Sequence, residues 1–586
     1  MALGVFMLVL WLAWFLVFTG IGGMVFHLFF VVVGRDKTRT WYEQGAGADR
    51  VFDRFWLGWA ATLFLLQIWH FVLPVNIWSL VVCIFAGLAG WIWRWRSLKS
   101  LRFGSWLYTI LFSLLLLIAA CWLSLQARTT LTPFDHGLYY LQQMIWAKSF
   151  PLVVGLANLQ ERLGFFDGFF LYATMMDVSP WVPGFRLSVS LLMLVLLAQS
   201  IRGIVAFVEL GAAVGVRQIY YALLLPPVLV KISLGFTVNS AATDSAINIL
   251  SMVSFGYFLD LLSRHSRDEE PWQNMFVITL ISAAGIVIKG SFLAILLGVV
   301  TVSFLIWMRG KKRSLFGQQV VRNSIVVAIV AAVIPFLIRN ILVTGYVFYP
   351  FPHLSLPVDW RVPYNEVNLT YQWVLSFSRV VFGSPQEVLK DASWIGPWFI
   401  KMMHEWTAVV IPGSLFILAG IVLWTRAVML KAFTPVLKMW VIFSVTVVVS
   451  LLVWFLSSPS LRFMGMLLPV LASGGVAMLL VTFDLVKPVR VVSVLVLGLL
   501  IVVMAINGKW VKPATDPRYF YAFPKVETTP FKTDSGLVTY TPVKDGQCWN
   551  SSILCSAQNK PGLMLRCSDG NVRCGFKDAA LLKEVK

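Results

Sequence analysis

Long apolar runs, separated by short basic loops, recur along almost the whole chain. A run of about 20 apolar residues crosses the ~30 Å hydrocarbon core of a bilayer. In that core the backbone has to satisfy its own hydrogen bonds, which leaves helices as the solution for such runs. Candidate spans are 2–19, 20–33, 54–72, 76–93, 106–124, 186–207, 217–234, 245–263, 274–289, 291–308, 322–340, 408–426, 437–456, 460–482 and 489–507. The first two read either as one long tilted helix or as a helix and a re-entrant piece, with Gly20, Gly22 and Gly23 marking the break. The fold class expected is an all-α polytopic membrane protein with about 12–15 transmembrane helices. The first residues, MALGVFMLVLWLAWFLVF, lack the basic region and cleavage site of a signal peptide and read as a retained membrane segment.

Composition points the same way: 59% of the 586 residues are hydrophobic and 13% charged. A soluble domain of that balance would leave large apolar patches in water. The net charge of +20 invites comparison with nucleic-acid-binding proteins, but its distribution argues for topology instead. Arg94, Arg96, Lys99 and Arg102 fill one short loop, and Arg309, Lys311, Lys312, Arg313 and Arg322 fill another. Such clusters mark cytoplasmic loops, so no nucleic-acid partner is expected. If the loop at 34–53 is cytoplasmic, alternation puts 94–105, 208–216, 264–273, 309–321, 427–436 and 483–488 on the same side, and most carry Lys or Arg. The opposite side then receives loops 125–185 and 341–407, the tail 508–586 and three tight turns. Two domains follow: a transmembrane unit, 1–507, and an extracytoplasmic tail, 508–586.

The tail is polar, with alternating stretches such as GLVTYTPV, and reads as a small β-containing domain. Four of the six cysteines lie in it: Cys548, Cys555, Cys567 and Cys574. Exported cysteines at that density form disulfides. Cys548–Cys555 with Cys567–Cys574 is the simplest of three pairings, and zinc is the weaker rival because the spacing suits it poorly. Cys83 and Cys121 lie in apolar runs and read as inert packing residues.

Charges at the ends of spans cost energy unless they snorkel, pair or face water. Asp135, Asp244, Lys289, Arg339 and Arg462 all fall at the outer boundary. Each has an ordinary explanation. Arg339 and Arg462 suit snorkelling, Lys289 suits a turn, and Thr243-Asp244-Ser245 suits a helix start. Together they suggest a water-filled cavity for an anionic, membrane-embedded substrate. In the first long loop, Asp135 is placed to cap a helix over HGLYYLQQMIWAKS. That helix is amphipathic and aromatic, as one lying on the membrane surface would be, and a second aromatic helix is predicted near 166–177. A carboxylate held there suits general-base work on a hydroxyl.

The segment FDHGLYYLQQMIWAKSFPLVVGLANLQERLGF carries a resemblance. It looks like GT-C class glycosyltransferases, and is most similar to a largely uncharacterised bacterial family of GT-C-like multi-pass membrane proteins. Asp135, Gly137, Leu138 and Tyr139 match its helix start, and Gly155, Leu156, Asn158, Leu159, Arg162, Leu163, Gly164 and Phe165 match its loop. Weaker matches are Ala242-Thr243-Asp244, Ile288-Lys289-Gly290-Ser291, Arg339-Asn340, Thr344-Gly345, Tyr349-Pro350 and Gln547-Cys548-Trp549. Tyr140 and Gln160 stand where histidines are expected, and Phe166-Asp167-Gly168 replaces an Asn-Ser-Ser run.

The resemblance implies an inverting glycosyl transfer on the outer face of a bacterial inner membrane. The donor is a sugar on polyprenyl phosphate, and the acceptor is a glycan, lipid or protein. Asp135 is then the catalytic base. Lys289, Arg339 and Arg462 hold the donor phosphate, while His136, Tyr139, Arg162, Asp244 and His404 serve acceptor or sugar binding. Membrane lipids are the other expected partners. No cofactor or metal site is expected, since the acidic residues form no recognisable metal cluster; a divalent cation held by Asp244 is the alternative, though nothing in the pattern indicates one. The loop 341–407 either covers the site or forms an interfacial aromatic belt. The rival functions are a transporter or flippase, a ligase or polymerase for lipid-linked glycans, and a structural or assembly protein.

Overall fold

The computed structural model describes residues 2–33, 49–93, 105–129, 133–165, 167–210, 214–234, 237–267, 269, 271–309, 314–464, 466–483 and 523–581. The predicted span 489–507 and most of the basic loops at 34–53 and 94–105 lie outside the described residues. Among the described residues, eight helical stretches are long and apolar enough to cross a membrane: Leu3–Phe29, Trp106–Ala127, Gly184–Leu210, Thr243–Ser266, Gly290–Arg309, Gly317–Thr344, Trp406–Met429 and Pro435–Ser457. Ile77–Trp93, Trp272–Ile288 and Leu467–Thr482 are apolar but shorter. This is the make-up of a multi-pass helical membrane protein.

The glycines near residue 20 do not break the chain. Helix α1 runs unbroken over Ala2–Val33, so the single-helix alternative is the one the molecule adopts. Its glycines instead let neighbouring backbones touch. A Cβ on Gly22 would sit 2.7 Å from the carbonyl carbon of Arg54 in α2 (Asp49–His70), and one on Gly58 of α2 would sit 2.6 Å from the Gly22 nitrogen. Gly90 of α3 (Ile77–Trp93) meets Gly20 in the same way, 2.6 Å from its carbonyl carbon. In lipid, where apolar burial drives helix association little, such seams of small residues supply the close contact.

Helix α4 (Trp106–Ala127) leads into the first long loop. There a π-turn over His136–Tyr140 runs into α5 (Leu141–Ser149), and α6 (Gly168–Met175) follows. The π-turn and α5 do not lie exposed on a membrane surface, as their amphipathic pattern suggested. His136, Gly137, Tyr140 and six residues of α5 are buried, because the rest of the loop, the bundle and the C-terminal tail enclose them: His136 packs on Phe185, Tyr140 on Phe170, and Trp549 on Gly137. Free Cys83 is buried as expected, whereas Cys121 faces outward from α4 and packs no core.

The bundle continues with α7 (Gly184–Leu210), α8 (Val216–Leu234), α9 (Thr243–Ser266), α10 (Trp272–Ile288) and α11 (Leu293–Arg309). Helices α12 (Leu315–Val327) and α13 (Ile334–Thr344) are joined by a π-turn into one crossing. The second long loop holds α14 (Tyr364–Arg379), α15 (Pro385–Val388) and α16 (Ile395–His404). Along α14, Leu369, Trp373 and Phe377 are exposed at four-residue spacing, an apolar stripe on one helix face. Helices α17 (Ile411–Met429), α18 (Pro435–Ser457), α19 (Leu461–Met464) and α20 (Leu467–Thr482) complete the described bundle.

The tail folds as two antiparallel hairpins, β1 (Thr528–Lys532) with β2 (Val538–Pro542), and β3 (Leu563–Leu565) with β4 (Phe576–Asp578). Disulfides join Cys548 to Cys555 and Cys567 to Cys574, the simplest of the pairings the spacing allowed. The tail docks on both long loops. Trp549 N–H donates to the Gly137 carbonyl at 2.9 Å, and Phe576 N–H donates to Val154 at 3.0 Å. Gln142 donates back to the Trp549 carbonyl at 2.9 Å. Lys560 pairs with Glu366 at 2.6 Å and Arg566 with Asp359 at 3.1 Å.

Candidate functional site

Four sequence-predicted charges converge from four separate stretches of chain. Arg462 is the hub. Its Nη2 donates to the Asp135 carboxylate and its Nε to the Asp244 carboxylate. Lys289 donates to the other oxygen of Asp244. Two cations and two carboxylates thus form one continuous ion-paired chain, the arrangement that offsets the cost of taking charges out of water.

Local structure explains how each arrives. Asp135 was expected to cap the following helix, but its backbone is helical (φ −60°, ψ −22°) and its side chain makes no capping bond. The carboxylate is spent on Arg462 instead. The π-turn matters here. Residues five apart lie ~140° apart around an α-helix, and a wider i→i+5 turn brings them nearer one side. Asp135 and Tyr140, five apart, both reach Arg462, with the tyrosine oxygen 3.3 Å from Nη2. Tyr139 packs edge-on against Tyr140 with ring centres 4.7 Å apart.

Asp244 likewise caps nothing; the cap position is Ala242. It lies in the first turn of α9, where the helix dipole favours a carboxylate. Lys289 occupies an extended residue (φ −160°, ψ 128°) between α10 and a short 3-10 turn. Its ammonium lies 4.6 Å from the centre of the Phe463 ring, a favourable cation–π approach. The turn that carries Arg462 is held by two indoles: Trp398 donates to the Pro459 carbonyl at 2.6 Å and Trp454 to that of Ser460 at 3.0 Å.

A fifth ionisable residue, one that the charge pattern does not single out, lies beside these four. Asp167 stands just before α6, and Gly168 brings it against the end of α10. A Cβ on Gly168 would lie 3.4 Å from the Val287 carbonyl oxygen, two residues from Lys289. Burial pushes the Asp167 carboxyl well above the usual carboxylate range, against the pull of Lys289 and with the help of Asp244. Its signal in the sequence was the Phe166-Asp167-Gly168 departure from the resembled pattern.

Other predicted residues are placed elsewhere. Arg339 is fully buried, with Nη1 3.0 Å from His70 Nδ1 and Nη2 donating to the Gln67 carbonyl at 3.0 Å. His136 is fully buried, its Nδ1 3.0 Å from Ser240 Oγ. Burial, and then Arg186, push its imidazole down to about 3, which keeps it neutral. Arg162 lies 5.7 Å from the Phe165 ring centre and 3.9 Å from the Glu161 carboxylate. His404 is exposed at the end of α16, its Nδ1 2.7 Å from the Ile400 carbonyl. Gln160, where a histidine was expected, donates to the Leu138 carbonyl at 3.1 Å and so braces the π-turn.

A second polar knot lies ~20 Å along α9 from Asp244. Asp53 accepts from Arg217 at 3.0 Å and from the Tyr257 hydroxyl, and Arg217 lies 4.0 Å from the Tyr257 ring centre. It ties α2, α8 and α9 together. In the tail, Cys567, Asp569 and Cys574 cluster closely enough to hold an ion, but the two cysteines are bonded to each other.

No curated protein and no solved structure matches the chain. A family model does, over residues 5–468, which takes in Asp135, Asp167, Asp244, Lys289 and Arg462. The chain belongs to the family described as a domain of unknown function (DUF8201).

Proposed function

We propose that the chain is a GT-C-like glycosyltransferase of the bacterial inner membrane that uses a polyprenyl-phosphate-linked sugar on the extracytoplasmic side. The observation that carries the reading is the convergence of Asp135 and Asp244 with Lys289 and Arg462 at the ends of membrane helices. Cations at that depth suit a lipid-borne phosphate, and a carboxylate beside them suits proton removal from an acceptor. The acceptor oxygen attacks the sugar's anomeric carbon, and the bond from that carbon to the phosphate oxygen breaks. The phosphate leaves with the electron pair, stabilised by Lys289 and Arg462, and the acceptor's proton passes to Asp135. Inversion follows from a single displacement. Asp244 aligns the two cations.

The test is label transfer by the purified full chain from a panel of radiolabelled polyprenyl-phosphate sugars to membrane extract. Wild type is expected to transfer label, and Asp135→Asn to lose at least about a hundredfold in rate, the scale of a general base. No transfer from any donor, with wild type and Asp135→Asn alike, refutes the reading and leaves the transporter class as the rival to pursue.

A further inference from the structure

Resting on that reading of the site, we infer that Asp135 is a resident counter-ion of Arg462 that a lipid phosphate displaces, so that the base becomes free only after the donor is seated. The ion-paired chain has an inner and an outer end. Asp244 is the inner carboxylate, its side chain only 8% exposed and bound by both Lys289 and Arg462. Asp135 is the outer one, 23% exposed, on a guanidinium that is 43% exposed. An incoming anion therefore reaches the outer end of this chain, where Asp135 holds Arg462, before it reaches Asp244.

The guanidinium stays in place through the exchange. Its Nε remains on Asp244, and Tyr140 stays beside Nη2. A phosphate oxygen is at least as good an acceptor for Arg as a carboxylate oxygen. Once it occupies Nη2, Asp135 has lost its cation and faces a second anion, which drives its carboxylate toward a neutral hydroxyl. The proton on an acceptor hydroxyl is the natural partner. Donor-before-acceptor order is thus built into the site, and a base paired in the empty enzyme leaves little opening for wasteful hydrolysis.

The displacement makes an unusual demand on the catalytic variant. If Asp135 competes with the ligand, removing its charge tightens phosphate binding. Titrating the detergent-purified full chain with farnesyl phosphate is expected to show Asp135→Asn binding about two- to fivefold more tightly than wild type, the scale of a partly exposed charge pair. Asp135→Ser, run alongside so that one misfolded variant does not decide the matter, is expected to show the same gain. Wild-type binding with both folded variants equal or weaker overturns the displacement while leaving the phosphate seat intact. No binding of farnesyl phosphate to any of the three overturns the seat itself, and with it the donor class proposed above. Uncharged farnesol binding as well as the phosphate, or inorganic phosphate binding as well as the lipid, overturns the assignment to a lipid phosphate.

Discussion

Gly137→Ala tests whether the tail shapes the site. The added methyl would lie 2.6 Å from Trp549 Nε1 and 2.8 Å from its Cζ2, far inside van der Waals contact. The indole has little room to yield. Its Nε1 donates to Gln547 at 3.0 Å, Gln547 is itself bonded to the Phe134 carbonyl at 2.9 Å, and the Cys548–Cys555 disulfide anchors the adjoining backbone. Overpacking of this kind costs about 1–3 kcal/mol. If the tail yields rather than the π-turn, the undocked population rises roughly 5- to 150-fold. Limited proteolysis of the detergent-solubilised full chain reads that population directly when opening is fast. The control is Gly396→Ala, where the methyl meets nothing within 4 Å. Cleavage in the tail at the same rate in Gly137→Ala, Gly396→Ala and wild type would refute the argument that Trp549 is wedged on Gly137.

Three further outcomes are expected. Asp167→Asn should raise the thermal midpoint at pH 7.5–8: a raised folded pKa means stability falls as pH rises above ~4, and the amide does not ionise, so the gain should shrink toward pH 5. His136→Gln should flatten the acid limb of stability. A histidine held neutral down to about 3 costs the folded state ~1.4 kcal/mol per pH unit below ~6.5, so the wild-type midpoint should fall faster than the variant's between pH 6.5 and pH 4.5. Gly22→Val should abolish monodisperse extraction, since its Cβ alone would meet the Arg54 carbonyl carbon at 2.7 Å, whereas Val5→Ala on the exposed face of α1 should not.

The charges of the site were legible because charge is rare at the end of a membrane helix and rarely idle there. Sequence spacing does not say which way a boundary residue points, however. Arg339 and Arg462 looked alike along the chain, yet one turns inward to His70 and Gln67 and the other gathers two carboxylates. The same limit applies to the glycines of α1. A Gly-rich stretch reads as a break or as part of one long helix, and the backbones packed against it at Arg54 and Gly58 show what the glycines are for. The covering of the first loop by the tail had no signature at all. It rests on a main-chain bond from Trp549 to Gly137 and on the Gln142 amide bonded to the Trp549 carbonyl, pairings that join residues hundreds of positions apart in sequence and leave no local pattern. Asp167 was hidden for a related reason: a carboxylate in a turn-rich loop reads as solvated until the fold brings Val287 and Lys289 to it.

The docked tail also sets an arithmetic rule for the path of the chain. Gly137 and Val154 are bonded to Trp549 and Phe576, and Asp359 and Glu366 to Arg566 and Lys560. Partners in contact share one aqueous compartment. An even number of bilayer crossings is therefore expected between the first loop and the second, and again between the second loop and the tail. Tagging either loop and the tail with membrane-impermeant reagents must label both or neither.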